Sequence, residues 1–157
     1  MQVMRFAGVA LATTLVIATA TATQAGAVKN AHVTCALALQ TLAPPGASAE
    51  DFGTVNCSSV FGKGVQHDTV TVTPTSQTTA TVTGPFKQFF DTGTIHGTVN
   101  LTASATAAGA VTYKGTAKIS GGTGAYNHAK GSAEVQCTSP DGGTHTACTE
   151  KATPTHI

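Results

Sequence analysis

Thr94-Ile95-His96-Gly97-Thr98-Val99-Asn100-Leu101-Thr102-Ala103-Ser104-Ala105, then Val111-Thr112-Tyr113-Lys114-Gly115-Thr116-Ala117-Lys118-Ile119, decides the fold of this chain of 157 residues. In both runs the apolar and small residues hold the odd positions, and Thr, Lys, His, Asn and Ser hold the even ones. A period of two is the signature of a strand with one buried face. Odd positions on two antiparallel strands can face each other only across a loop with an odd number of residues. Ala107-Ala108-Gly109 meets that condition as a three-residue hairpin, with glycine in the left-handed position. The register follows: Ala103 faces Tyr113, Leu101 faces Gly115, Val99 faces Ala117 and Gly97 faces Ile119. Each pair sets a larger side chain against a smaller one, which is how the tapering interior of a small barrel is filled.

Working outward, Val33, Cys35, Leu37 and Leu39 alternate within His32 to Thr41 and predict a strand. Pro44-Pro45-Gly46 breaks it, with a loop to about Asp51. A second strand is expected from Gly53 to Val60, then a turn or bulge at Phe61-Gly62-Lys63-Gly64. Val70 and Val72 point inward in a strand from Asp68 to Thr73. A short strand from Thr79 to Thr83 is expected to end at Gly84-Pro85. The aromatic cluster at Phe86, Phe89 and Phe90 reads as a plug for one barrel end, in preference to the rim of a ligand opening. Beyond the hairpin, Gly131, Ala133, Val135 and Cys137 face in and Glu134 faces out. A last strand runs from Thr144 to Glu150, and the tail from Ala152 is expected to fray. The result is eight or nine strands, no helix and regular turn signals, hence an all-β chain. An antiparallel up-and-down barrel of about eight strands is preferred to a β-sandwich, because closure removes exposed edges.

Met1 to Arg5 followed by an uncharged run from Phe6 to Ala20 and the small residues of Ala25-Gly26-Ala27 reads as a secretory signal, residues 1–27. Residues 28–157 then form a single barrel domain, secreted to the extracellular side. The threonines from Thr13 onward dilute the run below the roughly 18 strongly apolar residues of a membrane anchor, and no later stretch could span a bilayer. Without Arg5 the chain holds seven lysines against seven acids, with no Trp and 5% aromatics overall. That balance offers neither the charge nor the stacking platform for nucleic acid. Four cysteines in an exported chain imply two disulfides. Of three connectivities, Cys35–Cys57 with Cys137–Cys148 is preferred, each worth on the order of 3 kcal/mol. A turn centred on Gly142-Gly143, or a bulge, is needed to align the second pair. Cys-x-x-Cys spacing is absent, so no zinc site is assigned, and no cofactor is implied.

Gly121-Gly122-Thr123-Gly124-Ala125-Tyr126, followed by Ala129-Lys130-Gly131, resembles the signature of dirigent and allene oxide cyclase-like barrels. Gly97-Thr98 and Tyr113-Lys114-Gly115-Thr116 stand in the register that family shows before its loop. The resemblance covers Asp91 to Cys137. It implies an antiparallel barrel of eight strands, often trimeric, whose apolar interior guides cyclisation or coupling of an oxylipin or phenolic radical pair by holding a conformation. With its Ala/Thr/Gly-rich composition, the chain looks like a bacterial exported relative. The family's charged pocket residues are not carried over to positions of this chain. No acid falls on an inward position of the strands whose register is settled, and the interior reads as small and aliphatic.

No catalytic residue is assigned. No two of the six histidines share a ligand spacing within one element, no Gly-x-Ser-x-Gly elbow is present, and Asp141 and His145 are neighbours in sequence only. The glycine-rich loop joins two strands, so it lacks the helix N-terminus that would cradle a phosphate. Its glycines serve a tight connection, with Tyr126 anchoring the loop to the barrel. Three functions fit. The preferred one is a non-catalytic secreted barrel that binds a small apolar ligand or acts at the cell surface. The others are a dirigent- or cyclase-like protein, and a structural or oligomeric surface protein with a filled core. Tyr113, Val99, Leu101, Ile119 and Tyr126 are the candidate pocket residues. A cavity of roughly 300 Å³ or more favours the first two functions, and a charged or phenolic group pointing into it favours the second.

Overall fold

The computed structural model describes residues 32–42, 48–58 and 61–156; the expected signal segment, residues 1–27, lies outside them. Eight strands follow in order: β1 (Val33–Thr41), β2 (Ser48–Cys57), β3 (Lys63–Pro74), β4 (Thr79–Phe90), β5 (Gly93–Ala105), β6 (Val111–Gly124), β7 (Lys130–Ser139) and β8 (His145–His156). Each pairs antiparallel with its neighbour in sequence, and β8 returns to β1 to close the barrel. Among the described residues there is no helix, and thus none long and apolar enough to cross a membrane.

The β5–β6 hairpin has the register that its alternation predicts. Gly97 pairs with Ile119, Val99 with Ala117, Leu101 with Gly115 and Ala103 with Tyr113. The loop closes where Gly109 N–H donates to the Thr106 carbonyl and Thr106 N–H to the Ala110 carbonyl. Gly109 holds φ at 84°, a conformation that costs a residue with a Cβ. A bulge at His96 and Gly97 then shifts the pairing by one residue toward the glycine-rich loop.

Several expected boundaries are displaced. β4 does not stop at Gly84-Pro85. It continues to Phe90, and only its pairing with β3 lapses there, between the Asp68–Phe86 and Thr71–Thr83 pairs. Pro85 lacks an N–H for that ladder but still sits opposite Thr98 of β5 with its ring exposed, so the strand survives the missing bond. β2 begins at Ser48 rather than Gly53, and β3 begins at Lys63 rather than Asp68. The tail does not fray: β8 runs to His156, with Ala152 and Pro154 buried.

The interior has two halves. At one end Phe61, Phe90 and Tyr126 meet with ring centroids 5.2–5.7 Å apart, edge-to-face or tilted as aromatic quadrupoles prefer. Phe86 lies over Gly97, its strand partner, where an added Cβ would come within 2.7 Å of the ring. Phe86 and Phe90 plug the barrel as expected, but Phe89 does not: it has the opposite parity and lies exposed on the outer face under the Lys87 ammonium.

The two disulfides are Cys35–Cys57, joining β1 to β2, and Cys137–Cys148, joining β7 to β8. Cys137 and Cys148 are direct register partners, so the connection is centred on Gly142-Gly143, both at positive φ. Two disulfides are consistent with an extracellular protein.

Candidate functional site

The other half of the barrel is open. The strand ends at Thr41, Pro74, Ala105 and Ser139, with the turns after Pro74 and Ser139, surround the mouth of a cavity of about 510 Å³. Its wall is apolar, built from all eight strands, including Leu37, Val70, Val82, Leu101 and Val135. The cavity exists because those inward residues are of medium size while the aromatics gather at the opposite end.

Its floor is polar. Counting back by twos from Val70 and Val72 brings Asp68 and Gln66 inward, and both are buried. Asp51 faces in from β2 as the register partner of Asp68, so two carboxyl groups stand opposite each other inside the barrel. Glu150 enters from β8 and Gln88 from β4, both buried. The expectation of a small aliphatic interior without acids is therefore overturned. It rested on β5, β6 and β7, which carry no inward acid, while the acids enter from β2, β3 and β8.

Side-chain hydrogen bonds tie this floor together. Gln66 Nε2 donates to Asp68 Oδ2 at 2.8 Å, and Gln88 Nε2 donates to Gln66 Oε1 at 2.7 Å and to Glu150 Oε2 at 3.1 Å. Thr41 Oγ1 lies 2.6 Å from Asp51 Oδ1 and 2.7 Å from the Gly143 carbonyl. The Thr41 hydroxyl has one proton to donate, so the Asp51 carboxyl and the Gly143 carbonyl compete to accept it. Asp68 Oδ1 is buried without a partner.

Burial raises the pKa of every acid on this floor, because the charged form loses its water. Asp68 is pushed up to about 7, chiefly by burial; its bond from Gln66 opposes the rise, and the charges of Asp51 and Glu150 add to it. Burial raises Glu150 against its bond from Gln88, and Asp51 against its bond with Thr41. Tyr113, near the mouth, is raised by burial and then by the charges of Asp51 and Asp141. No Lys, Arg or His is among the described residues lining the cavity, so the acids have no counter-charge there.

Of the candidate pocket residues, Val99, Leu101 and Tyr113 line the cavity. Ile119 and Tyr126 do not. Tyr126 is 2% exposed within the aromatic plug, its hydroxyl accepting a bond from Thr92 Oγ1 at 2.7 Å. Gly121, Gly122, Thr123 and Gly124 extend β6, and the connection turns through residues 125–129 to Lys130 and Gly131 at the plugged end, remote from the mouth. Asp51, Gln66, Asp68, Gln88 and Glu150 were not among the expected site residues, although each shares the parity of an inward neighbour: Val55, Val70, Phe86 or Cys148.

Asp141 and His145 are more than sequence neighbours. Asp141 Oδ2 lies 2.6 Å from His145 Nδ1, while Oδ1 accepts from the His145 N–H and from Ser139 Oγ, which in turn accepts from the Gly143 N–H. Those bonds, led by the His145 backbone N–H, lower the Asp141 pKa to about 2. The serine hydroxyl points to the acid and not to the imidazole, so this cluster braces a turn and prepares no nucleophile. His67 is paired too, with Glu50 at 2.9 Å and stacked on Phe52 outside the barrel. Among the described residues no group of His, Cys, Asp and Glu could hold a metal ion.

Fold and site together define a class: a disulfide-braced, closed β-barrel of eight strands, plugged at one end and hollow with an acidic floor at the other. No family model and no curated protein matches the chain. A solved structure described as a pyocyanin demethylase is similar at 19% identity and a TM-score of 0.43, covering 76% of this chain and 99% of that one. A likeness of that degree carries no weight for ligand or reaction.

Proposed function

We propose that this protein is an exported receptor for a small, largely apolar molecule held in the open half of the barrel. The cavity itself carries the reading. At about 510 Å³ it lies within the roughly 300–1,000 Å³ of ligand sites, with apolar walls and few convergent polar groups. A structural protein with a filled core would have no such space. A neutral apolar fluorophore, N-phenyl-1-naphthylamine, tests it. Saturable enhancement at one probe per barrel is expected, and Leu101→Trp, which fills the cavity, should abolish it while far-UV circular dichroism stays unchanged. Enhancement that is absent, or indifferent to Leu101→Trp, would exclude the reading.

A second reading is that the protein steers cyclisation or coupling of its ligand, as the resemblance to dirigent and allene oxide cyclase-like barrels implies. Asp68 and Tyr113 favour it. A carboxyl group poised near neutrality can give or take a proton, and a phenol at the mouth can hydrogen-bond a reacting oxygen.

A further inference from the structure

The floor of the cavity contains three carboxyl groups, on β2, β3 and β8, and no cation. Each of its donor groups already has an acceptor. The Gln66 amide is bonded to Asp68, the Gln88 amide to Gln66 and Glu150, and the Thr41 hydroxyl lies between Asp51 and Gly143. What remains over is acceptor capacity, of which the buried, unpartnered Asp68 Oδ1 is the clearest case, on a residue 5% exposed. Buried polar groups without partners are rare in native proteins and call for an explanation.

We infer that the ligand of this cavity is an apolar molecule carrying a protonated nitrogen, seated against Asp68, Asp51 and Glu150. This rests on the cavity reading above and deepens it by naming the headgroup. An ammonium supplies both things the floor lacks: a positive charge, and N–H donors for the spare carboxyl oxygens. A neutral alcohol supplies a donor without the charge. An anion supplies neither and adds repulsion.

The titratable groups acting on Asp68 are Asp51 from β2 and Glu150 from β8; Tyr113 from β6 lines the same cavity nearer the mouth, and Gln66, Gln88 and Thr41 do not titrate. Binding a cation must therefore deprotonate the floor and release protons to the buffer. Affinity should rise as pH climbs through the Asp68 pKa of about 7, and should fall about tenfold per unit below it for each proton released.

Three fluorescent probes of nearly one shape separate the alternatives: 1-naphthylmethylamine, 1-naphthalenemethanol and 1-naphthaleneacetate, titrated into the oxidised protein from pH 5 to pH 8. The expected result is an amine bound at least about tenfold tighter than the alcohol at pH 8. The acetate should bind weakest at pH 8, and affinity that rises with pH should be seen for the amine alone. Calorimetry at pH 6 in buffers of different ionisation enthalpy should register proton release with the amine. Asp68→Asn should retain the alcohol and lose most of the amine's advantage and slope. Equal binding of amine and alcohol, tightest binding of the acetate, or an amine slope that survives Asp68→Asn combined with Glu150→Gln would overturn the inference while leaving the cavity reading in place. Binding of none of the three would overturn both.

Discussion

Asp68 faces Asp51 across two paired strands, buried and with one oxygen unpartnered, an arrangement that opposes folding unless a proton or a ligand relieves it. Like charges directly opposite on a sheet are destabilising, and burial enlarges the penalty. The folded pKa of about 7 stands above the reference 3.8, so the folded state binds a proton that the unfolded chain gives up. That contribution is whole below pH 4 and is lost as pH rises through 7. The displacement of about three pKa units corresponds to about 4 kcal/mol at most. Asp68→Asn, which keeps the shape without the charge, should therefore stabilise the protein at pH 8 by up to about 4 kcal/mol, with the gain shrinking toward zero at pH 4. Urea denaturation of both proteins across that range checks it; an Asn variant less stable at pH 8 would show that Asp68 is not under strain. A site that weakens its own fold is what a functional constraint looks like.

Among the elements, the β5–β6 hairpin and the β7–β8 turn show two ways of fixing a register. The hairpin relies on Gly109 at φ 84°, and Gly109→Ala should cost about 1–2 kcal/mol, measured as a lowered urea midpoint. The β7–β8 turn relies on Asp141, which gathers the Ser139 hydroxyl and the backbone N–H and ring Nδ1 of His145. Asp141→Ala should speed amide hydrogen exchange at His145 and Gly143 more than in β5 or β6. Because its folded pKa lies below the ordinary value, the bracing is present above about pH 4 and fails as pH falls toward 2. The hairpin was legible in sequence because parity, loop length and size complementarity point to one answer. The acidic floor was written in the same alternation, since Asp68 follows Val70 by parity and Glu150 follows Cys148. It was hidden because an inward acid reads as the end of an apolar run. Gly84-Pro85 misled for the converse reason: a local break signal is overridden when the neighbouring strand β5 holds the backbone extended. Tyr113 and Leu101 were legible as cavity-lining because they fall within the settled hairpin. Tyr126 was not, because turn residues carry no parity to say which end of the barrel they cover.

For the whole molecule, the decisive contact is the seam where β8 meets β1, pairing Val33–Gln40 with His145–Ala152. It joins residues more than a hundred positions apart, and loop-closure entropy must be spent before such non-local pairs form. The disulfides brace both flanks of that seam. Cys35–Cys57 fastens β1 to β2 and Cys137–Cys148 fastens β8 to β7, so the two strands that must find each other each arrive tied to a neighbour. With separations of 22 and 11 residues, each cross-link should contribute on the order of 3 kcal/mol. Reduction with dithiothreitol should then destabilise the barrel by about 6 kcal/mol if the two act independently. The seam should open first, with β1 and β8 amides exchanging ahead of those in β4, β5 and β6, where neither cross-link acts. Hydrogen exchange of the reduced protein distinguishes this from uniform loosening. Because Leu37, Thr146, Cys148 and Glu150 from the seam strands all line the cavity, apolar-probe binding should be lost on reduction before the secondary structure melts.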